Sequence, residues 1–438
     1  MAQASSAPSG EGRTPRILRS LNSRNFRLYF SGQLVSLVGT WMQMIAMQWL
    51  VYRLTDSALM LGIIGFAAQI PTFLLAPVAG VAADRWNRRD VQLVTQTLAM
   101  LQAFVLALLV WTSRAAVWQI VVLSLLLGVV NAFDAPARQA FAVELVERRE
   151  DLTNAIAINS IMFNMARLIG PAMAGLSIAV IGEGGCFFLN GVSFLAVIVA
   201  MLMMRLQPSK PRTREAKLWE ELKEGANSAF GFVPIRLLLL FLALTSVMTM
   251  PLQTLMPVIA KDILGGGSAM LGFLVAASGI GSLLAGVYLA QRTDVLGLEK
   301  RIATTVLLCS ISIVAMAFVR SIWLALPLAI VAGFGIMIQG ASSNTLVQTL
   351  VEDHMRGRVM AFFTMAFMGM MPFGSLLGGA LGGRIGVPRT LIVCGTACGL
   401  GAIWFASRLD VWRQHAHPVY ERKGMLGAAG PRQPSDEG

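Results

Sequence analysis

Apolar residues run through this chain in stretches of about twenty, broken by short polar segments that hold most of its charge. A stretch of that length matches a helix crossing roughly 30 Å of hydrocarbon. The runs are continuously apolar and do not alternate over about ten residues, which selects helices over a barrel. The pattern predicts an all-α polytopic membrane protein with spans over 29–53, 60–83, 91–112, 117–138, 153–181, 185–204, 235–260, 269–291, 301–319, 322–344, 358–383 and 387–407. The first run is too long for a signal peptide and lacks a small-residue cleavage site behind it, so it is expected to be retained.

Composition agrees: 56% of residues are hydrophobic, 13% are charged and mean hydropathy is +0.67. The basic residues then orient the chain. With the N-terminus inside, 28 of the 35 Lys and Arg residues fall on the cytoplasmic side of the predicted spans. Six fall outside (Arg53, Arg114, Lys261, Arg320, Arg384 and Arg389), and Arg167 alone lies in mid-span. That bias predicts cytoplasmic termini. It also accounts for the net charge of +12 without nucleic acid, because the bases flank spans. The segment "RILRSLNSRNFR" reads either as a basic amphipathic helix on the inner leaflet or as a plain topology signal. Cys186, Cys309, Cys394 and Cys398 sit in or at the ends of apolar runs with no histidine nearby, so neither a metal site nor any other cofactor is expected.

The chain repeats itself. "SALMLGIIGFAAQ" at 57–69 is echoed by "SAMLGFLVAASG" at 268–279, an offset of 210 that carries Gly62 onto Gly272 and Asp84 onto Asp294. "ELVERREDLTNA" and "TLVEDHMRGRVMA" match at an offset of 205, which also relates Gly128 to Gly333. Two halves in the same orientation follow: a basic N-terminal segment 1–28, a six-helix bundle over 29–204, a charged cytoplasmic linker over 205–234, a second bundle over 235–407 and a cytoplasmic tail over 408–438.

The turn "GVAADRWNRRD" at 80–90 packs five charges between two apolar runs. With the twelve spans, the linker and the repeat, it resembles the loop motif of the major facilitator superfamily, whose positions fall on Gly80, Asp84, Arg85, Arg88 and Arg89. Asn87 stands where the motif has its second glycine, a residue able to take a left-handed turn. Gly80 would let helices approach closely, and Asp84 would cap a neighbouring helix or pair with an arginine, in one conformation and not the other.

"ARLIGPAMAG" at 166–175 resembles the superfamily's antiporter motif through Gly170, Pro171 and Gly175, with Ala166 and Ala157 at its earlier glycine positions. Arg167 lies inside it. A charge at that depth costs at least about 2.5–3.5 kcal/mol, so it is expected to face a cavity or a partner. Acids are scarce at depth; Asp134 comes nearest, four residues before Arg138, with Pro136 expected to disturb simple helical pairing. Asp134 and Arg138 are therefore the proton-coupling candidates, with Asp134 sensing both Arg138 and Arg167.

"FRLYFSGQLVSLVGTWMQMIAMQWLVYRLTDSALMLG", "DAPARQAF" and "LTNAIAINS" are similar to a narrower branch, the transmembrane secretion effectors that include enterobactin and macrolide exporters. That resemblance implies a multi-pass protein of the bacterial inner membrane. It would export a siderophore or drug-like amphipathic molecule as an inward proton moves. In this superfamily the first, fourth, seventh and tenth spans line the cavity. Here they carry Gln43, Gln48, Asn131, Thr249, Gln253, Gln339 and Asn344, to which Asn159 and Asn164 on the fifth are added. So many amides without a mid-depth carboxylate suit a bulky, weakly charged or anionic substrate. Expected partners are the substrate, a proton and the bilayer; a monomer is expected. The alternatives are a proton-independent facilitator or importer of a small metabolite, and a membrane enzyme or non-transporting sensor. A nucleotide-driven pump is excluded because no Gly-Lys dipeptide, hence no P-loop, is present. An enzyme would need a clustered carboxylate, His or Cys site that the sequence does not show.

The charge bias generates a topology test. A single cysteine at Ser209, in the linker, should stay unlabelled by an impermeant maleimide added to intact cells and should label once the membrane is opened; labelling from outside would invert the orientation.

Overall fold

A computed structural model of the chain describes residues 23–145, 151–204, 218–292 and 294–425. Among these residues the regular elements are helices. The first half comprises α1 (Arg24–Thr55), α2 (Ala58–Arg85), α3 (Arg88–Trp111), α4 (Val117–Glu144) and α5 (Leu152–Met203). The linker region holds α6 (Leu218–Gly231). The second half starts with α7 (Val233–Thr254), which continues through α8 (Met256–Val258) into a π turn at Ile259–Ile263. Then come α9 (Ser268–Ala290), α10 (Leu298–Met316) and α11 (Ile322–Leu350). They are followed by α12 (Arg356–Thr364), a second π turn at Met365–Gly369, α13 (Met371–Ile385), α14 (Val387–Ser407) and α15 (Leu409–Arg422). Ten stretches among the described residues are long and apolar enough to cross a membrane.

The break expected between 181 and 185 falls at Gly182, φ 71° and ψ 176°, where the two helical arms of α5 meet in a one-residue reversal. Glycine alone adopts that region without steric cost, so one residue replaces a loop. Its counterpart between α13 and α14 is Gly386, at φ 81°, 204 positions later, matching the repeat. Part of the tail folds as α15. Trp412, Ala416 and Tyr420 recur at helical spacing and are buried in one cluster with Phe241 and Phe405. Phe241 stacks on Phe405 with centroids 4.6 Å apart, and Trp412 meets Phe405 edge-on. Burial, with the Glu299 carboxylate nearby, pushes the Tyr420 phenol up to about 12, so it stays protonated throughout the physiological range. The amphipathic segment expected before residue 23 lies outside the described residues.

The halves meet along a seam of backbone contacts at the end carrying Asp56, Gly182 and Gly265, the outer end in the charge-based orientation. A Cβ added to Gly62 of α2 would lie 2.7 Å from the Ser375 carbonyl oxygen and 2.8 Å from the Gly379 Cα of α13. A Cβ on Gly272 of α9 would lie 2.6 Å from the Pro171 carbonyl oxygen and 2.8 Å from the Gly175 Cα of α5. Gly62 and Gly272 are the pair the repeat relates, and Gly175 and Gly379 are related by nearly the same offset. One crossing thus occurs twice, about a pseudo-twofold axis. Phe373 of α13 meets Phe66 and Phe73 of α2 edge-on, each at 6.0 Å, extending the contact inward. Ser268 Oγ donates to the Gly175 carbonyl oxygen at 3.1 Å.

Overpacking at a backbone crossing cannot be relieved by turning a side chain. Gly62→Val should therefore lower the thermal midpoint in detergent, at a cost of about 1–3 kcal/mol, and increase labelling from outside of cysteines placed along the seam. Gly80→Ala, where an added Cβ meets nothing within 4 Å, should do neither.

Candidate functional site

The charged turn at the inner end is a helix start. Asn87 caps α3, its side-chain oxygen accepting from the Arg89 N–H at 3.0 Å. Its φ is −65° and ψ 117°, so it does not use the left-handed conformation proposed for it: capping is its role. Arg88 pairs with Glu144 at the end of α4 at 3.3 Å, and Arg89 donates to the Met201 carbonyl oxygen at 2.9 Å. Arg85 is exposed. The close approach expected at Gly80 is missing here: a Cβ added to it would meet nothing within 4 Å. The Asp84 side chain lies outside the described residues.

The antiporter-like helix is the first arm of α5. A Cβ on Gly170 would lie 2.5 Å from Trp41 Cβ and 2.9 Å from the Val38 carbonyl oxygen, so α5 crosses α1 there at backbone distance. Pro171 and Gly175 form the seam with α9. Ala166, at a glycine position of the motif, is fully buried with Leu37 and Met162. Arg167 is half-buried, its guanidinium over the Trp41 ring at 5.9 Å, a cation–π contact. Among the described residues it forms no ion pair, so of the two surroundings expected for it, a cavity or a partner, no carboxylate partner is found.

Asp134 is 7% exposed and sits between α4, α3 and α1. Thr95 Oγ1 and Gln96 Nε2 both donate to its Oδ1 at 2.9 Å. Arg138 Nε lies 3.6 Å from its Oδ2. Pro136 does not prevent that pairing, because α4 continues through it with four-residue spacing intact. Beside the pair, Tyr29 Oη accepts from Gln33 and Gln92 at 3.4 and 3.2 Å. Sequence reasoning singled out both residues, expected Pro136 to disturb their pairing, and missed the α3 partners. Gln92, Thr95 and Gln96 form an i, i+3, i+4 polar stripe on an otherwise apolar helix, and that was the available signal.

The amides divide. Gln43 is turned into the first bundle, donating to Gln102 at 2.9 Å and accepting from Asn190 at 2.8 Å, so it cross-links α1, α3 and α5 and does not line a cavity. Gln339 donates to Thr245, joining α11 to α7, and Thr249 is buried close by. Gln253 is half-buried and donates to Ser278 at 3.4 Å. Asn131 is exposed on the α4 face it shares with Arg138; Gln48, Asn159, Asn164 and Asn344 are half-buried. Asn164 bonds the Ser160 carbonyl oxygen at 2.8 Å, and Asn344 accepts from Gln348. A groove of about 730 Å³ lies elsewhere, between α3 and α4, lined by Trp86, Val94, Leu98 and Phe133.

A cluster absent from the sequence reading closes the outer end. Tyr52 Oη donates to Asp262, Lys261 pairs with Asp56, and the Lys261 ammonium sits 5.1 Å from the Tyr52 ring centre. Lys261 and Asp262 lie on the π turn, a helical defect that recurs at functional positions. Arg53 braces the cluster with a two-pronged pair to Glu183, at 2.7 and 3.3 Å. Among the described residues, every hydrogen bond or ion pair between the halves lies at this end: these two and Ser268–Gly175.

Two parallel helical halves, joined by crossings repeated about a pseudo-twofold axis and closed at one end, define a membrane carrier of the major facilitator fold. Solved structures agree. A nucleoside transporter superposes with a TM-score of 0.70 at 14% identity, over 88% of this chain and 99% of its own. A bacterial homologue of the iron transporter ferroportin, in an inward-facing state, gives 0.67 at 19% identity over 88% and 98%. The chain matches the transmembrane secretion effector family over residues 17–422, and belongs to that family. It is 24% identical to the staphyloferrin A transporter of Staphylococcus aureus, over 87% of this chain and 96% of that one. It is 26% identical to the multidrug efflux pump Tap of Mycolicibacterium fortuitum, over 81% and 88%. With macrolide efflux protein A of Streptococcus pyogenes the identity is 22%, over 85% and 92%. The chain is a multi-pass membrane transporter and not an enzyme.

Lys261 and Asp56 have side chains 37% and 70% exposed, so their pair is worth about 0–1 kcal/mol and is readily broken. Lys261→Asp should raise outside labelling of a reporter cysteine at Thr254, buried behind the cluster, by a few-fold. The swap Asp56→Lys with Lys261→Asp should restore protection.

Proposed function

We propose that this protein is a proton-coupled exporter of a small amphipathic molecule, a siderophore or drug-like compound, working by alternating access in a bacterial inner membrane. The reading counts twelve spans, with both arms of α5 and the 19-residue α10 included. It places the termini and the linker in the cytoplasm, divides the chain into the two bundles and linker laid out above, and takes the working unit as a monomer. One observation carries it: the two halves are sealed by glycine crossings and a weak polar latch at one end only. That is one of the two states alternating access requires. With the charge-based orientation, it is the state open to the cytoplasm, where an exporter loads. The relatives' printed substrates, a siderophore, drugs and a macrolide, support the class and direction.

The residues take distinct roles. Arg167 borders the seam, unpaired by any carboxylate among the described residues, and holds an anionic or hydrogen-bonding group of the substrate. Asp134 exchanges the proton. Thr95 and Gln96 donate to it and Arg138 pairs with it, and protonation would loosen its tie to Arg138 and bias the bundle toward the other facing. The loop motif around Gly80, Asp84, Arg85, Arg88 and Arg89 holds that other facing, in which Gly80 would be close-packed.

Proteoliposomes separate these roles. Arg167→Gln should abolish both uphill efflux and substrate counterflow. Asp134→Asn should lose uphill efflux and its response to a pH jump yet retain counterflow, because exchange needs no proton step. If Asp134→Asn still concentrates substrate as the parent does, the coupling group is elsewhere.

A further inference from the structure

Resting on Asp134 as the proton-exchanging group, we infer that Thr95 and Gln96 are built to serve both of its protonation states. Each donates to the ionised carboxylate and holds in reserve an arrangement in which it accepts from the acid.

The geometry gives each residue two settings. Thr95 Oγ1 is 2.9 Å from Asp134 Oδ1 and 3.1 Å from the Gln92 carbonyl oxygen. Its one hydroxyl proton can serve only one of them. While Asp134 is ionised, the charged acceptor holds it. When Asp134 carries a proton, the Thr95 O–H turns to the Gln92 carbonyl and its oxygen is free to accept from the acid. Gln96 works through its two ends. Its Nε2 donates to Asp134 Oδ1 at 2.9 Å, while its Oε1 is buried with no hydrogen-bond partner. A buried acceptor left unpaired is costly and rare. Turning the amide half a revolution, which leaves its volume unchanged, would bring that oxygen to Oδ1, where it repels a carboxylate and accepts from a protonated acid. The orphan oxygen thus acquires a purpose: with Thr95 Oγ1 it is one of two acceptors between which the single O–H of the proton-loaded acid can choose.

The proton consequently arrives on Oδ1 and is bonded there with no helix movement, while the Arg138 contact to Oδ2 weakens as the charge disappears. The surrounding groups allow this. α3 presents only the neutral Gln92, Thr95 and Gln96 to the site, while its Asp90 is exposed and its Arg89 is held on the Met201 carbonyl. α1 contributes Tyr29, α4 contributes Arg138, and Arg85 at the end of α2 is exposed.

Infrared difference spectra of the full chain in nanodiscs, recorded between neutral and acid pH, test the arrangement. A protonated-carboxyl stretch should appear and should be missing in Asp134→Asn. Charge-assisted bonds outweigh neutral ones, so losing a two-way partner costs the ionised form more than the acid. Thr95→Val and Gln96→Met should each raise the pH midpoint of that band by roughly 0.5–1 unit and move its frequency, whereas Thr95→Ser should preserve both. The two variants probe the site independently, so misfolding of one leaves the other decisive. A band lost in Asp134→Asn but unmoved in both variants overturns the role given to Thr95 and Gln96 and leaves Asp134 as the proton site. A band that survives in Asp134→Asn overturns the reading of Asp134 itself.

Discussion

The closest contacts between the halves are made by backbone, not by side chains. At Gly62–Gly379 and Gly175–Gly272 the absence of a Cβ lets two helices touch along their main chains. In a bilayer there is no hydrophobic drive to bring helices together, because lipid tails are as apolar as leucine; close van der Waals contact between small residues must supply the attraction. Such a surface is smooth. It grips only at near-zero separation and has no interlocked side chains to unpick. That is the property a gate needs if it is to open and reclose as a unit.

The polar bonds are distributed to match. Inside the first bundle, Asn190, Gln43 and Gln102 form a buried amide chain across three helical segments, and Arg89 ties α3 to the end of α5. Inside the second, Gln339–Thr245, Thr254–Ser375 and Ser282 on the Gly333 carbonyl do the same. Among the described residues, the bonds between the bundles lie at the outer rim: the Tyr52–Asp262 and Lys261–Asp56 contacts are partly exposed, and the Ser268–Gly175 bond is buried. Most bonds that hold each half are buried, so the proposed change of facing would leave each half intact and part the few at the rim.

Much of this was legible in the sequence. Continuous apolar runs located the helices, and the repeat offset of 210 between Gly62 and Gly272 picked out the two residues that make equivalent crossings. What it could not show was their partners: Gly175 and Gly379 lie in glycine-bearing stretches with no feature that says which glycine touches what. The break between the fifth and sixth spans was placed at 181–185, and the structure narrows it to one residue, Gly182, a compactness that the sequence does not reveal. The amides misled for a physical reason. In lipid a buried amide serves equally well as a cross-link or as a cavity contact, and only the neighbouring helix decides, as Asn190 does for Gln43. The latch was missed because Tyr52, Asp56, Lys261 and Asp262 read separately as ordinary span-end residues.

The charges inside the first bundle supply the last step. Asp134 and Arg138 form a buried pair, so each offsets the burial cost of the other. Among the described residues Arg167 has no such compensation, and Trp41 returns only a fraction of the cost of holding a guanidinium at that depth. An uncompensated cation beside the seam is a standing attraction for an anionic or strongly accepting group from outside the protein. The proton changes that balance from a distance. When Asp134 is neutralised, Arg138 loses its counter-charge, and the bundle then carries two unbalanced cations where it carried one. A substrate bearing an acceptor is held more firmly in that condition. On the proposed roles, binding and protonation would favour one another without direct contact, a linkage that is reciprocal by necessity. It would load substrate and proton together, against the opposed movement that antiport requires, unless the change of facing reverses one of the two preferences. The contact of Gly279 with the backbone at Arg167, where an added Cβ would lie 3.4 Å from the Arg167 carbonyl oxygen, is where that reversal can be built. Under the proposed change of facing, parting the seam there would expose the arginine to outer water, which would screen its charge and let the substrate go as the proton is taken up.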